Sequence, residues 1–383
     1  MSERDISHWL AKIPSSWQYV PLKRLADVVT GTADTIDADP DGQFDFVVRS
    51  STLKKARTYT FDCEAVITAG DGAVGEVFHH LDGKFLAHQR TYVIHNFRGI
   101  EGRFFFYYFS AFFRYMCQDG SAKTTVDSVR RWMLTDMPIA VPPREVQRRI
   151  VQFLDAELER IDAVIVEEER LVSLLIERRA AVAEELVSRA DSKEIRNRGI
   201  FRHVDRKSKT GEEELLSVSH ITGVTPRSEK NVTMFEAESK IGYNLVEPGE
   251  LVINTMWAWM GALGVSDFEG IVSPSYDIYE FIDRGEFCPE YFDMLYRTDR
   301  YIGLMKAHSR GIWESRLRLY PDVFLSLTSP VPSLKAQQQI AHEYRVKCAE
   351  TDELLLKMQS LTSLLEERKQ ALITAAVTGE LEV

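Results

Sequence analysis

A long segment of this chain occurs twice, and every matched pair of residues lies 190 positions apart. Val141-Pro142 returns as Val331-Pro332, Gln147 as Gln337, Ile150 as Ile340 and Asp162 as Asp352. Ser173-Leu174-Leu175 returns as Ser363-Leu364-Leu365, and Glu177-Arg178 as Glu367-Arg368, so no gap is needed. In the first copy Pro142-Pro143 supplies a helix start, because proline is tolerated in a first turn, and neither Pro nor Gly follows from Glu145 to about Ala190. Apolar residues recur every three or four positions, at Ile150, Leu154, Leu158, Ile161, Val164/Ile165, Leu171, Leu175, Val182 and Leu186. Glu168 and Arg178 interrupt this seam of period near 3.5. The second copy puts Ile340, Tyr344, Cys348, Thr351, Leu354, Met358, Leu361, Leu365 and Leu372 on the equivalent line. About 45 residues at roughly 1.5 Å each make a rod on the order of 65 Å, which outruns a small domain. Two such rods in one chain are expected to pair as an intramolecular coiled coil. The alternative is that each stripe buries against its own globular region.

Two unlike globular stretches flank the first copy. The first runs to about Val141, with β-rich segments at Phe44 to Val48, Ala65 to Thr68 and Thr91 to Ile94, and an aromatic helix from Gly102 to Met116. Asp191 to Lys209 is polar and charged and reads as a linker. A second mixed region follows to about Pro330, with strands expected at Leu215 to Val218, Glu250 to Ile253 and Asp277 to Phe281. It echoes the first faintly: Glu64-Ala65-Val66-Ile67 falls on Glu250-Leu251-Val252-Ile253, and Gly75 on Gly261, at a common offset of 186.

The formal net charge is −11, unlike the basic balance of a lone DNA-binding domain, but much of the acid sits on the repeated helices. Those helices can therefore face protein partners or water while basic patches lie elsewhere. Cys63, Cys117, Cys288 and Cys348 are scattered without CxxC or zinc spacing, which points to a reduced, cytoplasmic setting. Neither a signal-peptide core nor an apolar run long enough for a bilayer is expected, so no membrane role is.

Several motifs hint at chemistry. Gly70-Asp71-Gly72-Ala73-Val74-Gly75 fits G-x-G-x-x-G after a strand, yet Glu76 to Gly83 reads as another strand into a turn. The helix N-terminus that a dinucleotide requires is missing, so a tight turn is expected. Ser273-Pro274-Ser275-Tyr276 resembles the catalytic signature of DNA amino-methyltransferases with Ser275 in place of a proline, but no glycine-rich cofactor loop precedes it. A β-turn is the plainer reading. His79, His80 and His88 lack ligands at metal spacing and read as exposed or capping residues. Glu238-Ser239-Lys240 is half of a nuclease motif and reads as a charged pair. The chain is expected to be catalytically empty and to hold no metal.

Taken together, Ile13-Pro14-Ser15-Ser16-Trp17 with Pro21 to Leu25, Pro142-Pro143 leading to Gln147 and Ile150, the repeated Glu-Arg and the terminal Ala375 to Leu381 closely resemble the specificity subunit of type I restriction-modification enzymes. The resemblance covers essentially the whole chain. It implies an α+β fold: two mixed α/β target-recognition domains, residues 1–141 and 191–330, separated by two long helices, residues 142–190 and 331–383, in an antiparallel intramolecular coiled coil. Arg196 to Arg206 holds no clear copy of the Pro-x-x-Trp entry at Pro14 to Trp17. The family reads an asymmetric, split double-stranded DNA site, docks two methyltransferase subunits and is joined by restriction subunits. S-adenosylmethionine, ATP and Mg then belong to those partners and none to this chain.

Two dissimilar domains on a rod suit two major-groove segments about one helical turn, roughly 34 Å, apart. Base edges are read by side chains in loops while Lys and Arg hold phosphates. The expected DNA contacts in the first domain are Arg49, Ser51, Lys54, Lys55, Arg57, Gln89, Arg90, Ser121, Lys123, Arg130 and Arg131. In the second they are His220, Asn254, Trp257, Trp259, Ser275, Tyr276, Arg310, Trp313 and Arg316. For each, the competing reading is a solvated charge or a core aromatic. Two other functions compete with DNA reading: a coiled-coil scaffold that binds proteins, favoured by the acidic balance, and a methyltransferase, favoured by Ser273 to Tyr276.

Overall fold

The computed structural model describes residues 13–117, 128–229, 239–311 and 317–381. Two compact units result, Met1–Ile165 with Leu364–Val383, and Val166–Ser363. Each long helix is therefore shared between units.

In unit 1 the elements are β1 (Gln18–Pro21), α1 (Leu22–Leu25), β2 (Asp27–Thr30), β3 (Phe44–Val47), β4 (Lys54–Ala56), β5 (Phe61–Asp62), β6 (Ala65–Ala69), β7 (Phe78–Leu81), β8 (Lys84–Ala87) and β9 (Thr91–His95). Helices α2 (Gly102–Cys117) and α3 (Arg131–Thr135), strand β10 (Pro138–Val141) and the long α4 (Arg144–Ser188) follow. A central antiparallel sheet has the order β2-β9-β6-β7. Strand β6 is buried throughout because both its faces are covered. Val66 and Ile94 pack with the aromatic face of α2 (Phe104, Phe105, Phe109), whereas Ala65, Ile67 and Val93 pack with Val47, Phe85 and Ala87 of the second sheet, β4-β3-β8-β5. The period of two along a strand sorts the side chains to these two cores.

Unit 2 begins, after α4, with β11 (Lys193–Arg196) and β12 (Phe201–Val204). Strands β13 (Leu216–Ser219), β14 (Gly223–Pro226), β15 (Asn244–Val246), β16 (Leu251–Asn254), β17 (Leu263–Val265), β18 (Gly270–Val272) and β19 (Tyr276–Phe281) follow. Helices α5 (Pro289–Leu295), α6 (Asp299–His308) and α7 (Pro321–Ser326), strand β20 (Thr328–Val331) and the long α8 (Leu334–Thr378) complete it. Its central sheet, β12-β19-β16-β17, has the order of the first. The same sorting recurs: Leu251 and Ile253 face the helical core with Phe292, while Val252 and Ile278 face Leu216, Val218 and Val246. The outer layer differs, being two antiparallel pairs, the hairpin β13-β14 and the non-consecutive β15-β18, rather than one four-stranded sheet.

The entry to each unit is built alike. β1 pairs antiparallel with β10, and β11 with β20, so each long helix springs from a strand bonded to its unit's first strand. This corrects the linker reading: Lys193–Arg196 is a strand and Phe201, 2% exposed, is core. Gln147 and Gln337, both fully buried, perform one task 190 residues apart. The Gln147 Oε1 accepts the Glu101 N–H at 2.8 Å and its Nε2 donates to the Pro142 carbonyl at 2.8 Å. Gln337 accepts from the Cys288 N–H and donates to the Pro332 carbonyl, each at 2.8 Å. The offset of 186 has a cause too: Gly75 and Gly261 both adopt positive φ, +75° and +82°. Each packs on a helix, against Arg114 and Ile302 respectively, where any side chain would be strained.

Both long helices run 45 residues, and they pair in opposite senses. Within unit 1, Ile150, Leu154 and Leu158 pack with Ile373, Ala376 and Val377, and Lys369 Nζ reaches Asp162 at 2.6 Å. Within unit 2, Ala183 and Leu186 pack with Ile340 and Ala341, and the Arg179 Nε donates to the Tyr344 hydroxyl at 3.2 Å. Several expected seam positions instead face outward: Val164, Leu171, Leu354 and Leu361 are exposed. Leu355, Thr351 and Glu168 are buried.

Glu168 does not interrupt the seam; it occupies it. Its Oε1 accepts the Thr362 hydroxyl at 2.7 Å, while its buried Oε2 has no hydrogen-bond partner among the described residues. Glu168→Leu is accordingly expected to raise the unfolding free energy by about 1–2 kcal/mol, since Leu keeps the packing and removes an unsatisfied oxygen. Thr362 retains the Met358 carbonyl as a partner at 3.3 Å. Denaturant unfolding checks the sign, and a loss of stability would refute it.

Candidate nucleic-acid interface

Strands β6 and β16 both end in a tight turn at the same end of the central sheet, and each turn is gripped from two sides. After β6 the Gly70 N–H donates to the Arg90 carbonyl, and Val129 N–H donates to the Gly70 carbonyl, both at 2.8 Å. A Cβ on Gly70 would stand 2.8 Å from that Arg90 oxygen, so glycine is what lets the segments close. After β16 the Leu319 N–H donates to the Thr255 carbonyl at 3.0 Å, and the Thr255 hydroxyl donates to the Ser275 carbonyl at 2.8 Å. Val129 and Leu319 are 190 residues apart, and Arg90 and Ser275 immediately precede β9 and β19. The two units thus assemble corresponding segments around corresponding turns.

In unit 1 this end of the sheet gathers Arg49 and Arg90 around Asp71. One Asp71 oxygen accepts from Arg49 at 2.5 Å and the other from Arg90 at 3.2 Å. The Arg90 N–H donates to the buried His88 Nδ1 at 3.0 Å, and burial holds the His88 pKa below the ordinary histidine value, so the acceptor is neutral. His79 Nε2 lies 2.9 Å from the Ser50 carbonyl, and Gln89 donates to Asp34 at 2.9 Å. Arg130 follows Val129 directly and is exposed, as is Arg131 at the start of α3. Ser51 is exposed in the loop between β3 and β4. Lys54 and Lys55 lie on strand β4 rather than in a loop, and Lys55 is paired with Asp45 at 2.8 Å. Arg57 is paired with Asp39.

In unit 2 the turn carries Trp257, half-exposed and stacked on Trp259 with centroids 6.5 Å apart. The Trp259 indole donates to the Met256 carbonyl at 2.9 Å, and Lys306 lies over its ring. Arg310 bridges Arg318 through the backbone, reaches Asp322 at 3.0 Å and lies over the Tyr320 ring. Ser275 and the half-buried Tyr276 complete this end of the sheet; Ser273 to Tyr276 is the expected turn, closed by the Tyr276 N–H on the Ser273 carbonyl at 3.0 Å. Burial raises the Tyr276 pKa, keeping its hydroxyl a neutral donor. Asn254 and Tyr276 are strand residues rather than loop residues, and the Asn254 side chain is buried, accepting from the Met256 N–H at 3.2 Å. His220 lines a cavity of about 40 Å³ together with Met260 and Gly261 of the turn after β16 and with Arg179 and Tyr344. Ser121, Lys123, Trp313 and Arg316 lie outside the described residues.

Asp71 escaped the sequence reading because a carboxylate in a glycine-rich turn carries no signal for DNA. The common offset of 186 held the clue, since it places Asp71 on Trp257. Gly70 to Gly75 leads into β7, which pairs with β6, so the glycine-rich turn opens a strand and not a helix. Among the described residues no group of three His, Cys, Asp or Glu side chains is arranged to hold a metal. No described helix is long and apolar enough to cross a membrane.

Residues 14–167 match the family model described as the type I restriction modification DNA specificity domain. The chain is 30% identical over 171 residues to the EcoDI type I specificity subunit of Escherichia coli, covering 45% of this chain and 38% of that protein. It is 25% identical over 149 residues to a putative type I restriction enzyme specificity subunit of Haemophilus influenzae, covering 37% of each. The matched stretches thus span less than two fifths of those relatives. A solved chain from the type I R-M system, in a study of complex assembly and conformational transition, superposes with a TM-score of 0.53 at 16% identity, covering 96% of this chain and 99% of that one. That likeness extends the fold to the second unit. The first unit is thus similar to a type I restriction modification DNA specificity domain, and its central sheet is built again in the second unit.

Proposed function

We propose that the chain reads an asymmetric bipartite DNA site for a type I restriction-modification complex, with one half-site taken by each unit. The observation that carries this reading is the turn built twice on one sheet framework and furnished with different side chains. In unit 1 it presents Arg49 and Arg90 with Asp71; in unit 2 it presents Trp257 near Ser275, Tyr276 and Arg310. Equal frames with unequal contacts are what two unlike half-sites require. Ser51, Gln89, Arg130 and Arg131 are assigned to the same face in unit 1, and Lys54, Lys55 and Arg57 to flanking phosphates. The paired helices are assigned to two methyltransferase subunits, with restriction subunits joining through them. S-adenosylmethionine, ATP and Mg are placed on those partners.

Binding to duplex DNA, measured with the full chain reconstituted with methyltransferase subunits, tests this. If 6–10 phosphates are engaged, affinity is expected to fall by about 10³-fold or more between 50 and 200 mM salt. The target is found by mapping methylation in host DNA with and without the gene. Binding absent at every salt concentration would favour a protein scaffold. A stoichiometric heat on titrating the chain alone with S-adenosylmethionine would instead make it an enzyme.

A further inference from the structure

We propose that Asp71 is a positioning residue for base reading: it sets the Arg49 and Arg90 guanidiniums to meet guanine edges rather than phosphates. The inference rests on the DNA-reading role proposed above. Asp71 offers one oxygen to each arginine, at 2.5 Å and 3.2 Å. Its side chain is only 20% exposed, while those of Arg49 and Arg90 are 41% and 58% exposed. The carboxylate therefore lies beneath and the two forks lie outside. A guanidinium has five N–H donors, and one bond from each to Asp71 leaves the rest free to face a ligand. Guanine presents O6 and N7 side by side in the major groove, a match for such a fork.

The backbone around this trio is fixed as well. Asp71 pairs with Ser128 in an isolated bridge, Gly70 is bonded to the Arg90 carbonyl, and the Arg90 N–H is held by His88. Charge then decides which ligand the pair accepts. Two free guanidiniums would clamp a phosphate, but a carboxylate in contact with both repels that anion. A neutral base edge meets no such repulsion, so Asp71 raises discrimination by penalising the wrong contact. The position is also where the two units part company, since Trp257 stands there in unit 2. The half-site read by unit 1 is accordingly expected to contain guanine.

The test uses the full chain assembled with methyltransferase subunits, and three duplexes: the mapped target, the target with each G·C pair of one half-site changed in turn to A·T, and an unrelated sequence. Asp71→Asn is expected to tighten the unrelated duplex by about threefold and to lower the target-to-unrelated ratio by about tenfold or more, the loss falling on guanine positions of one half-site. Arg49→Lys and Arg90→Lys keep the charge but lose the fork, so unrelated binding should persist while target binding drops. They decide the matter if the Asp71→Asn chain melts early. A ratio within twofold of wild type for Asp71→Asn and both lysine variants, affinities for all duplexes falling in parallel, or half-sites without guanine would each overturn the proposal. Failure of the wild-type assembly to bind any duplex would strike the DNA-reading role itself.

Discussion

Replacing Phe201 with alanine is expected to cost unit 2 about 3–5 kcal/mol, the range for deleting a fully packed aromatic ring. Phe201 opens β12 and is 2% exposed. Its ring centroid lies 4.6 Å from that of Phe281, 5.6 Å from Phe292, 5.8 Å from Phe324 and 6.0 Å from Tyr296. These partners come from β19, α5 with its C-terminal cap Tyr296, and α7, so the ring joins the edge of the central sheet to the helical layer. A cavity there cannot close without moving elements that are each held by other contacts. Equilibrium denaturation of wild type and variant gives the difference, and a cost below about 1 kcal/mol would show the cluster to be readily repacked.

Gln147→Leu carries the second large expected effect, a loss of about 2–4 kcal/mol. Leucine fills nearly the same space, so the cost is not one of volume. It comes from the Glu101 N–H and the Pro142 carbonyl, which lose their partner at a buried site. An unsatisfied buried polar group costs about 1–3 kcal/mol. Gln337→Leu should behave alike, because it strands the Cys288 N–H and the Pro332 carbonyl. Denaturant midpoints measure both. Near-neutral results would mean that water reaches these bonds and that the two glutamines only happen to share geometry.

The repeat makes the long helices legible in the sequence alone, since a gapless offset of 190 leaves few ways to fold. The seam itself was legible only in part. A period near 3.5 counted leucines, yet Leu171 and Leu361 face outward while Glu168 and Thr362 meet each other between the helices. Polar residues that satisfy one another can hold seam positions, and a count of apolar side chains passes over them. Lys193 to Arg196 read as a linker because its strand offers one apolar residue, Ile195, and bonds to one neighbour, β20. Phe201 lay hidden in that charged context. At the candidate interface, the positions of Arg49, Arg90 and Trp257 followed from strand ends and turns. The convergence of Arg49 and Arg90 on Asp71 did not, because it depends on a contact between residues 22 positions apart in sequence and another 19 apart.

The hydrogen-bonded pairs β1-β10 and β11-β20 have a bearing on how such a chain changes over generations. A stretch whose first and last strands clasp each other leaves the polypeptide and rejoins it at a single doorway. Whatever lies beyond that doorway can be exchanged for a foreign stretch with the same two ends, provided it keeps the bond to the helix glutamine that Glu101 and Cys288 make. A new preference can then be acquired by grafting a cassette, and selection need not rebuild the frame that carries it.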